Sequence, residues 1–377
     1  MGLALLASLI SVRIGVSVAL IEIALGVIGG NFLGFQTTPW IDFLASFGSV
    51  LLTFLAGAEI EPAAFKRHLK ATLLIGSVAF LAPFAGALLF TEHIAGWQPH
   101  SAWIAGIALS TTSVAVVYAV MVETGLNETE LGKLILAACF VNDLGTVLAL
   151  GVLFANFNGL LAVFVAVTAV TLFFLPRLTR LLIARVGNRV SEPEIKFLFV
   201  VLFALGGLAS ASRSEPVLPA YLLGLVIAGV FANNKALVQR MRSIAFALLT
   251  PFYFLKAGLF VSLPAVAAGA GLIVVLLGIK MATKAAVVWP SARLCRLPLR
   301  EANYTTMLMS TGLTFGTISA LFGLTNHIID QRQYTILVTV VIGSAVVPTL
   351  IAQTFFRPEL PPAADVAPEP ELAAALA

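Results

Sequence analysis

The sequence predicts an all-α polytopic membrane protein, and three observations carry that reading. The 377 residues are 60% hydrophobic and 11% charged, against about 45–50% and about 25% in an ordinary soluble domain, so too little charge remains to cover a water-soluble surface. The apolar residues fall into repeated runs of about 20, the length a helix needs to cross a hydrocarbon core, and a helix satisfies its backbone polar groups within its own segment. The Lys and Arg between the runs alternate in abundance. When connections are assigned in turn to two faces, seventeen of the 22 fall on one face and only Arg213 and Arg332 on the other, while Lys256, Lys280 and Lys284 stay within spans.

Taken in order, residues 2–12 are apolar but too short to span comfortably, and read as a half-helix or as the end of a segment that begins upstream. A span near 15–33 follows Arg13, and one near 41–58 runs from Trp40 to Glu59. Those near 71–91 and 102–122 are bounded by Lys70, Glu92, His100 and Glu123, and that near 132–155 follows the polar stretch NETE. The span near 158–176 stops at Pro176-Arg177. Beyond a basic loop come spans near 196–212 and 217–232, the latter closed by Asn233-Asn234, then 243–262 after QRMR. The spans near 265–289, 302–322 and 334–355 are cut at Trp289-Pro290, at the cluster LPLRE and at Arg357. That gives about 13 transmembrane segments: a first repeat over 1–156, a linker helix and loop over 157–190 and a second repeat over 191–356. An odd helix between two six-helix halves inverts the second half in the membrane. Because cytoplasmic loops carry the excess of positive charge, the N-terminus lies outside and the C-terminus in the cytoplasm. Residues 357–377, RPELPPAADVAPEPELAAALA, read as a disordered cytoplasmic tail.

Composition also excludes several classes. Cys139 and Cys295 are far apart and indicate neither a disulfide framework nor a zinc site. No long basic run supports nucleic-acid binding. The N-terminus lacks the basic start of a cleaved signal peptide. The four His (His68, His93, His100 and His327) show no metal-ligand spacing and read as loop or interfacial residues. No cofactor and no metal site is expected. The Asn127-Glu128-Thr129 sequon falls in a cytoplasmic loop and carries no weight.

The informative residues are the polar ones within the spans. Asp143 lies at the centre of LILAACFVNDLGTVLALGVLF, where an ionisable group costs about 2.5–3.5 kcal/mol on insertion scales and faces a cavity or a partner. Asn142 stands before it and Gly145-Thr146 follows. One carboxylate with several oxygen dipoles suits a hard monovalent cation, and a carboxyl that holds either a proton or a cation couples the two. ALSTTSVAV, with Ser110, Thr111, Thr112 and Ser113, and LMSTGLTFGTIS, with Ser310, Thr311, Gly312, Thr314, Gly316 and Thr317, lie about 200 residues apart. As a pair they read as broken crossing helices whose freed carbonyls and helix ends line a midplane site. Thr112 and Ser113 join Asp143 and Asn142 as cation- or proton-binding candidates; Thr311, Gly312 and Thr314 mark the second break. Lys280 is read as the charge partner of this site, and Lys256 as a second buried cation needing a partner. Lys284 sits close enough to WPSARLCR to anchor at the interface by snorkelling. Glu22 lies deep in its span, whereas Glu59 reads as a solvated end-of-helix charge. Gly26 and Gly30 have the GxxxG spacing that permits close helix approach, which allows a homodimer contact.

At these residues the chain resembles the monovalent cation:proton antiporters, in particular the antiporter-2 branch of Kef-type and bacterial sodium/proton exchangers. FLAGAEIEP, ALSTTSVAVVYAVMVETG, LGKLILAACFVNDLGTVLAL, LLGIKMATKAAVVWPSARL and MLMSTGLTFGTISALFGL carry the resemblance, over nearly the whole chain. It implies thirteen helices, a dimer domain, a core domain that moves past it in an elevator-like cycle, Asp143 as ion and proton carrier and Lys280 as its partner. Within that resemblance Asn142 implies electroneutral exchange of Na⁺ or K⁺ for H⁺, and a cell membrane of the bacterial inner-membrane type is the expected location. Thr311-Gly312-Leu313 departs from the Arg-Gly-Glu turn of many relatives, and Lys280 stands where electroneutral members often carry Arg. The competing classes are a proton-coupled organic-solute carrier, a cation channel, which would need a filter-like repeat, and a lipid-linked membrane enzyme, which would need a DxxD cluster. Neither of those last two signatures is present in the sequence.

Overall fold

The computed structural model describes residues 1–14, 18–58, 67–126, 129–154, 159–187, 189–212, 216–232 and 234–358. Glu59, Asn127 and Glu128 of the sequon, Arg213 and tail residues 359–377 lie outside them. Among the described residues the chain is all-helical: α1 Gly2–Ile14, α2 Val18–Phe32, α3 Pro39–Ala58, α4 Leu69–His93, α5 Pro99–Ser110, α6 Val114–Thr124, α7 Glu130–Leu153 and α8 Gly159–Val186. There follow α9 Pro193–Ala211, α10 Val217–Ala232, α11 Lys235–Ile244, α12 Thr250–Leu259, α13 Leu263–Leu294, α14 Leu299–Met309, α15 Thr314–Thr325 and α16 Gln331–Ile351. Eight helical stretches are long and apolar enough to cross a membrane, and three shorter apolar helices accompany them. The protein is a multi-pass membrane protein.

Local chemistry sets the helix ends. Thr129 caps α7 by accepting from the Gly132 amide, and Asp330 and Gln333 form a reciprocal capping box at α16. Proline opens α5, α9, α12 and α13 at the first or second position, where its missing N–H costs nothing. A π-turn over Ala245–Leu249 joins α11 to α12 and re-aims the helix. The long α13 differs from expectation in extending to Leu294, with Pro290 inside it.

The helices pack as two bundles. In the first, α3 lies along α10 and α2 along α12, with α1, α8, α9 and α11 outside. Backbone meets backbone here: a Cβ on Gly57 would strike the Tyr221 carbonyl, one on Gly224 the Phe54 carbonyl, one on Gly258 the Ile23 carbonyl and one on Gly26 the Leu255 carbonyl. A Cβ on Gly30 would come within 2.6 Å of the Leu259 carbonyl. The Gly26–Gly30 spacing is therefore spent on an intramolecular contact with α12, not on a free face for a second copy, because that pair of backbones leaves no room for anything between them. The second bundle packs α4 on α5, α7 and α13, sets α16 beside α13, and crosses α5 with α15. The bundles meet chiefly where α10 lies against α7.

Candidate functional site

The site forms where two helices stop in mid-bundle. The first interrupted passage ends α5 at Ser110, turns extended at Thr111 (φ −62°, ψ 152°) and restarts as α6 at Val114; the second ends α14 at Met309 and restarts as α15 at Thr314. Ser110–Ser113 and Ser310–Leu313 are all buried. Each break frees carbonyls that an unbroken helix would have bonded, and in a dry interior they need donors.

Donors come from the breaks themselves and from side chains on α7 and α13. The Thr112 hydroxyl donates to the Met309 carbonyl at 2.9 Å, and the Ser113 amide donates to Thr311 Oγ1 at 3.4 Å, tying the two breaks together. From α7, Asn142 Nδ2 donates to the Ser110 carbonyl at 3.2 Å. From α13, Lys284 Nζ donates to the Thr111 carbonyl at 2.9 Å, Thr112 Oγ1 at 2.7 Å and the Met309 carbonyl at 2.6 Å. The C-terminal ends of α5 and α14 thus converge on one ammonium, the arrangement that helix dipoles favour.

Asp143 is 1% exposed on α7. Its Oδ1 and the Oδ1 of Asn142 are buried and have no hydrogen-bond partner among the described residues. Lys284 of α13 is 0% exposed. One turn earlier, Lys280 is equally buried, its Nζ has no hydrogen-bond partner among the described residues, and it packs over Gly312, where Thr111 Oγ1 and Ser344 Oγ also crowd the space a Cβ would take.

The structure therefore brings together Asp143, Asn142, Thr112, Ser113, Thr311 and Gly312, with Thr314 opening α15 beside them. It places the two lysines differently from the sequence reading. Lys284, expected at the interface, is the residue that binds both breaks, because α13 continues ten residues beyond it, about 15 Å of helix. Lys280, expected as the partner, makes no bond to Asp143 and sits against Gly312. Lys256 is elsewhere: on α12 of the other bundle it pairs with Asp42 of α3 at 2.7 Å, at the edge of a cavity of about 1030 Å³. That cavity is lined from α3, α5, α7, α9, α10, α12 and α15, and Asp143 is not among its lining residues. Two tyrosines were missed. Tyr221 of α10 donates to the Phe140 carbonyl of α7 at 2.9 Å, and Tyr334 of α16 to the Ala257 carbonyl of α12 at 2.7 Å, each buried and each crossing between bundles. A lone Tyr in an apolar run gives no sequence signal of such a bond. Among the described residues no group of His, Cys, Asp and Glu could hold a metal ion.

Comparisons with known proteins bear on the family and the fold. The probable Na⁺/H⁺ antiporter 3 of Methanocaldococcus jannaschii is 25% identical over 64% of this chain and 64% of its own length. The K⁺/H⁺ antiporter 1 of Saccharomyces cerevisiae is 26% identical over 85% of this chain but only 40% of its own length, so the chain spans less than two thirds of either relative. The structure of the sodium proton antiporter MjNhaP1 from Methanocaldococcus jannaschii superimposes with a TM-score of 0.67 at 14% identity, covering 95% of this chain and 98% of that one, which shows a shared fold. The family model described as sodium/hydrogen exchanger, transmembrane, matches residues 1–357. The chain belongs to the sodium/hydrogen exchanger family, a family of transporters and not of enzymes.

Proposed function

We propose that the protein is a secondary active antiporter that exchanges Na⁺ or K⁺ for H⁺ at Asp143. The observation that carries this is the buried pair of unpartnered oxygens, Asp143 Oδ1 and Asn142 Oδ1, beside two broken helices whose carbonyls are already held. A dehydrated monovalent cation finds oxygen ligands there, and a proton neutralises the same carboxylate. Since one carboxylate holds one or the other, release of one is coupled to uptake of the other. Asn142 adds no charge, and Lys284 is fixed by three acceptors, so a single carboxyl exchanging one cation for one proton gives electroneutral transport.

The cycle we infer is elevator-like: the second bundle, welded by Lys284 at its breaks, moves past the first. The reading is supported by the glycine seams and the Lys284 hydrogen bonds within the bundles and the sparse bonding between them. Two inverted repeats, over 1–156 and 191–356 with 157–190 between, are supported by the packing. Exchanging α2 with α10, α3 with α12, α4 with α13 and α7 with α16 maps the contacts α3–α10 and α4–α7 onto α12–α2 and α13–α16. Joining α5 to α6, α11 to α12 and α14 to α15 gives thirteen passages, with the basic loops on the cytoplasmic face together with the C-terminus. A homodimer then uses a face of the first bundle other than Gly26–Gly30.

The test uses everted vesicles with an imposed pH gradient. Added Na⁺ or K⁺ dissipates the gradient in the native protein and has no effect in Asp143→Ala; exchange at the native rate in that variant would remove Asp143 from the mechanism. Repeating the assay in proteoliposomes with and without a valinomycin-clamped potential reads cation choice and electroneutrality together.

A further inference from the structure

The cavity is lined by residues of both bundles, and Asp143 is not among them. Its inner lining includes Val217 of α10 and Ile318 of α15. About one turn deeper on the same helices stand Tyr221 and Phe315, 0% and 2% exposed, with ring centroids 6.1 Å apart at 75°, an edge-to-face pair. On α7 the cavity touches Leu153, and the buried Leu150 and Val147 fill the side between it and Asp143. Tyr221 does more than fill space: its hydroxyl bonds the Phe140 carbonyl, three residues before Asp143, so one side chain of the first bundle holds both α7 and α15 of the second.

We propose that the Tyr221–Phe315 pair is the gate on the cation's route between this cavity and Asp143, with Tyr221 the positioning residue that latches α7 in the closed arrangement. A hydrated cation cannot pass an apolar edge-to-face pair, and the bond to Phe140 must break before α7 moves relative to α10. The pair lies about one turn from the cavity wall on two helices at once. The assignment of this route rests on Asp143 being the carrier; the barrier itself does not.

The gate is tested by access, without turnover. In a background with Cys139→Ala and Cys295→Ser, Val147→Cys reports passage beyond the gate and Val217→Cys reports the cavity. A membrane-impermeant methanethiosulfonate reagent is applied from whichever side labels Val217→Cys. With Tyr221 intact, Val147→Cys labels at least tenfold more slowly than Val217→Cys. Tyr221→Ala, and independently Phe315→Ala, raise the Val147→Cys rate about tenfold or more and leave the Val217→Cys rate unchanged. Tyr221→Phe, which keeps the ring and loses the latch, raises it a few-fold. Equal slow labelling of Val147→Cys in the native, Tyr221→Ala and Phe315→Ala backgrounds overturns the gate, as does labelling as fast as Val217→Cys with both rings intact. The same rates are expected when Asp143→Ala is added, so failure of the carrier assignment shows in the exchange assay and leaves the labelling pattern untouched.

Discussion

Replacing Lys284 with Met removes the ammonium while keeping an unbranched apolar stem of similar reach. Three acceptors lose their donor: the Thr111 carbonyl, Thr112 Oγ1 and the Met309 carbonyl. Thr112 Oγ1 still donates to Met309, so that carbonyl keeps one partner, whereas the Thr111 carbonyl is left bare at the end of α5. A hydrogen bond to a charged group contributes about 1.5–3 kcal/mol and an orphaned buried acceptor costs about 1–3. The bonds share one donor and do not add, so about 3–5 kcal/mol is the expected loss, the size seen when one partner of a buried charged group is removed. Lys280→Met is the matched control. It deletes an equally buried ammonium that makes no hydrogen bond among the described residues, so stability is expected to hold or rise by about 1–3 kcal/mol as an unmet desolvation cost is relieved. Both variants are compared with the native protein by thermal unfolding in one detergent. The expected order of midpoints is Lys280→Met at or above native, with Lys284→Met lowest. Equal midpoints for the two variants, or a lower one for Lys280→Met, would show that the load on α13 is carried by Lys280 and that the clamp described above is wrong.

Three further outcomes follow from the packing. Gly224→Leu drives a side chain into the Phe54 carbonyl of α3, which neither backbone can yield cheaply; loss of monodisperse protein on size exclusion is expected, while Gly206→Ala, which meets nothing within 4 Å, stays folded and gains up to about 1 kcal/mol from helix propensity. Asp42→Asn leaves the nearly buried Lys256 without its charge partner and is expected to cost about 1–3 kcal/mol, with Asp42→Asn/Lys256→Met recovering most of it; a double-mutant cycle on unfolding midpoints reads the coupling. Tyr334→Phe removes the bond from α16 to the Ala257 carbonyl and is expected to cost about 1 kcal/mol, checked in the same unfolding assay.

Much of the fold and the position of the site could be read from side chains alone, because lipid makes polar residues conspicuous. Asp143 and the two Ser/Thr breaks stand out against apolar runs, and the breaks fall within a residue or two of where α5 and α14 end. The lysines were harder. Lys280 and Lys284 share a helical face, so periodicity cannot choose between them, and the choice depended on depth. Taking Trp289-Pro290 as the end of the span put Lys284 near the interface, but Pro290 is accommodated inside α13, which moves Lys284 a further turn or more into the protein. The Gly26–Gly30 spacing was legible as a close-approach motif, yet nothing local says whether the approaching helix belongs to the same chain. A longer-range signal does. Gly26 and Gly224 are 198 residues apart, Gly57 and Gly258 are 201 apart, and Ser110 and Ser310 are 200 apart; the near-constant offset pairs the glycines that meet in α2–α12 and α3–α10.

The two bundles are held together by opposite kinds of contact, and the difference bears on what each can do. The first is joined through glycine, with Gly26 on α12 and Gly224 on α3 leaving carbonyl against Cα. Such a contact tolerates no sliding, since a shift of one residue would replace a glycine with a side chain. The second closes around polar groups with several donors and acceptors in reach: Lys284 serves three oxygens, and Thr112, one of those three acceptors, also donates to another, the Met309 carbonyl. That network can absorb a change of charge at Asp143 without unpacking. Between the bundles the described polar contacts are few, chiefly the hydroxyls of Tyr221 and Tyr334 on helix carbonyls and two end-of-helix bonds, in which the Ser262 amide donates to Thr335 Oγ1 and Gln331 Nε2 donates to the Phe260 carbonyl. At about 1 kcal/mol each, these bonds break far more readily than the glycine seams or the Lys284 clamp. A conformational change driven by swapping a proton for a cation on one carboxylate has only a few kcal/mol to spend. The boundary between the bundles, with Tyr221 at its centre, is where such an amount suffices.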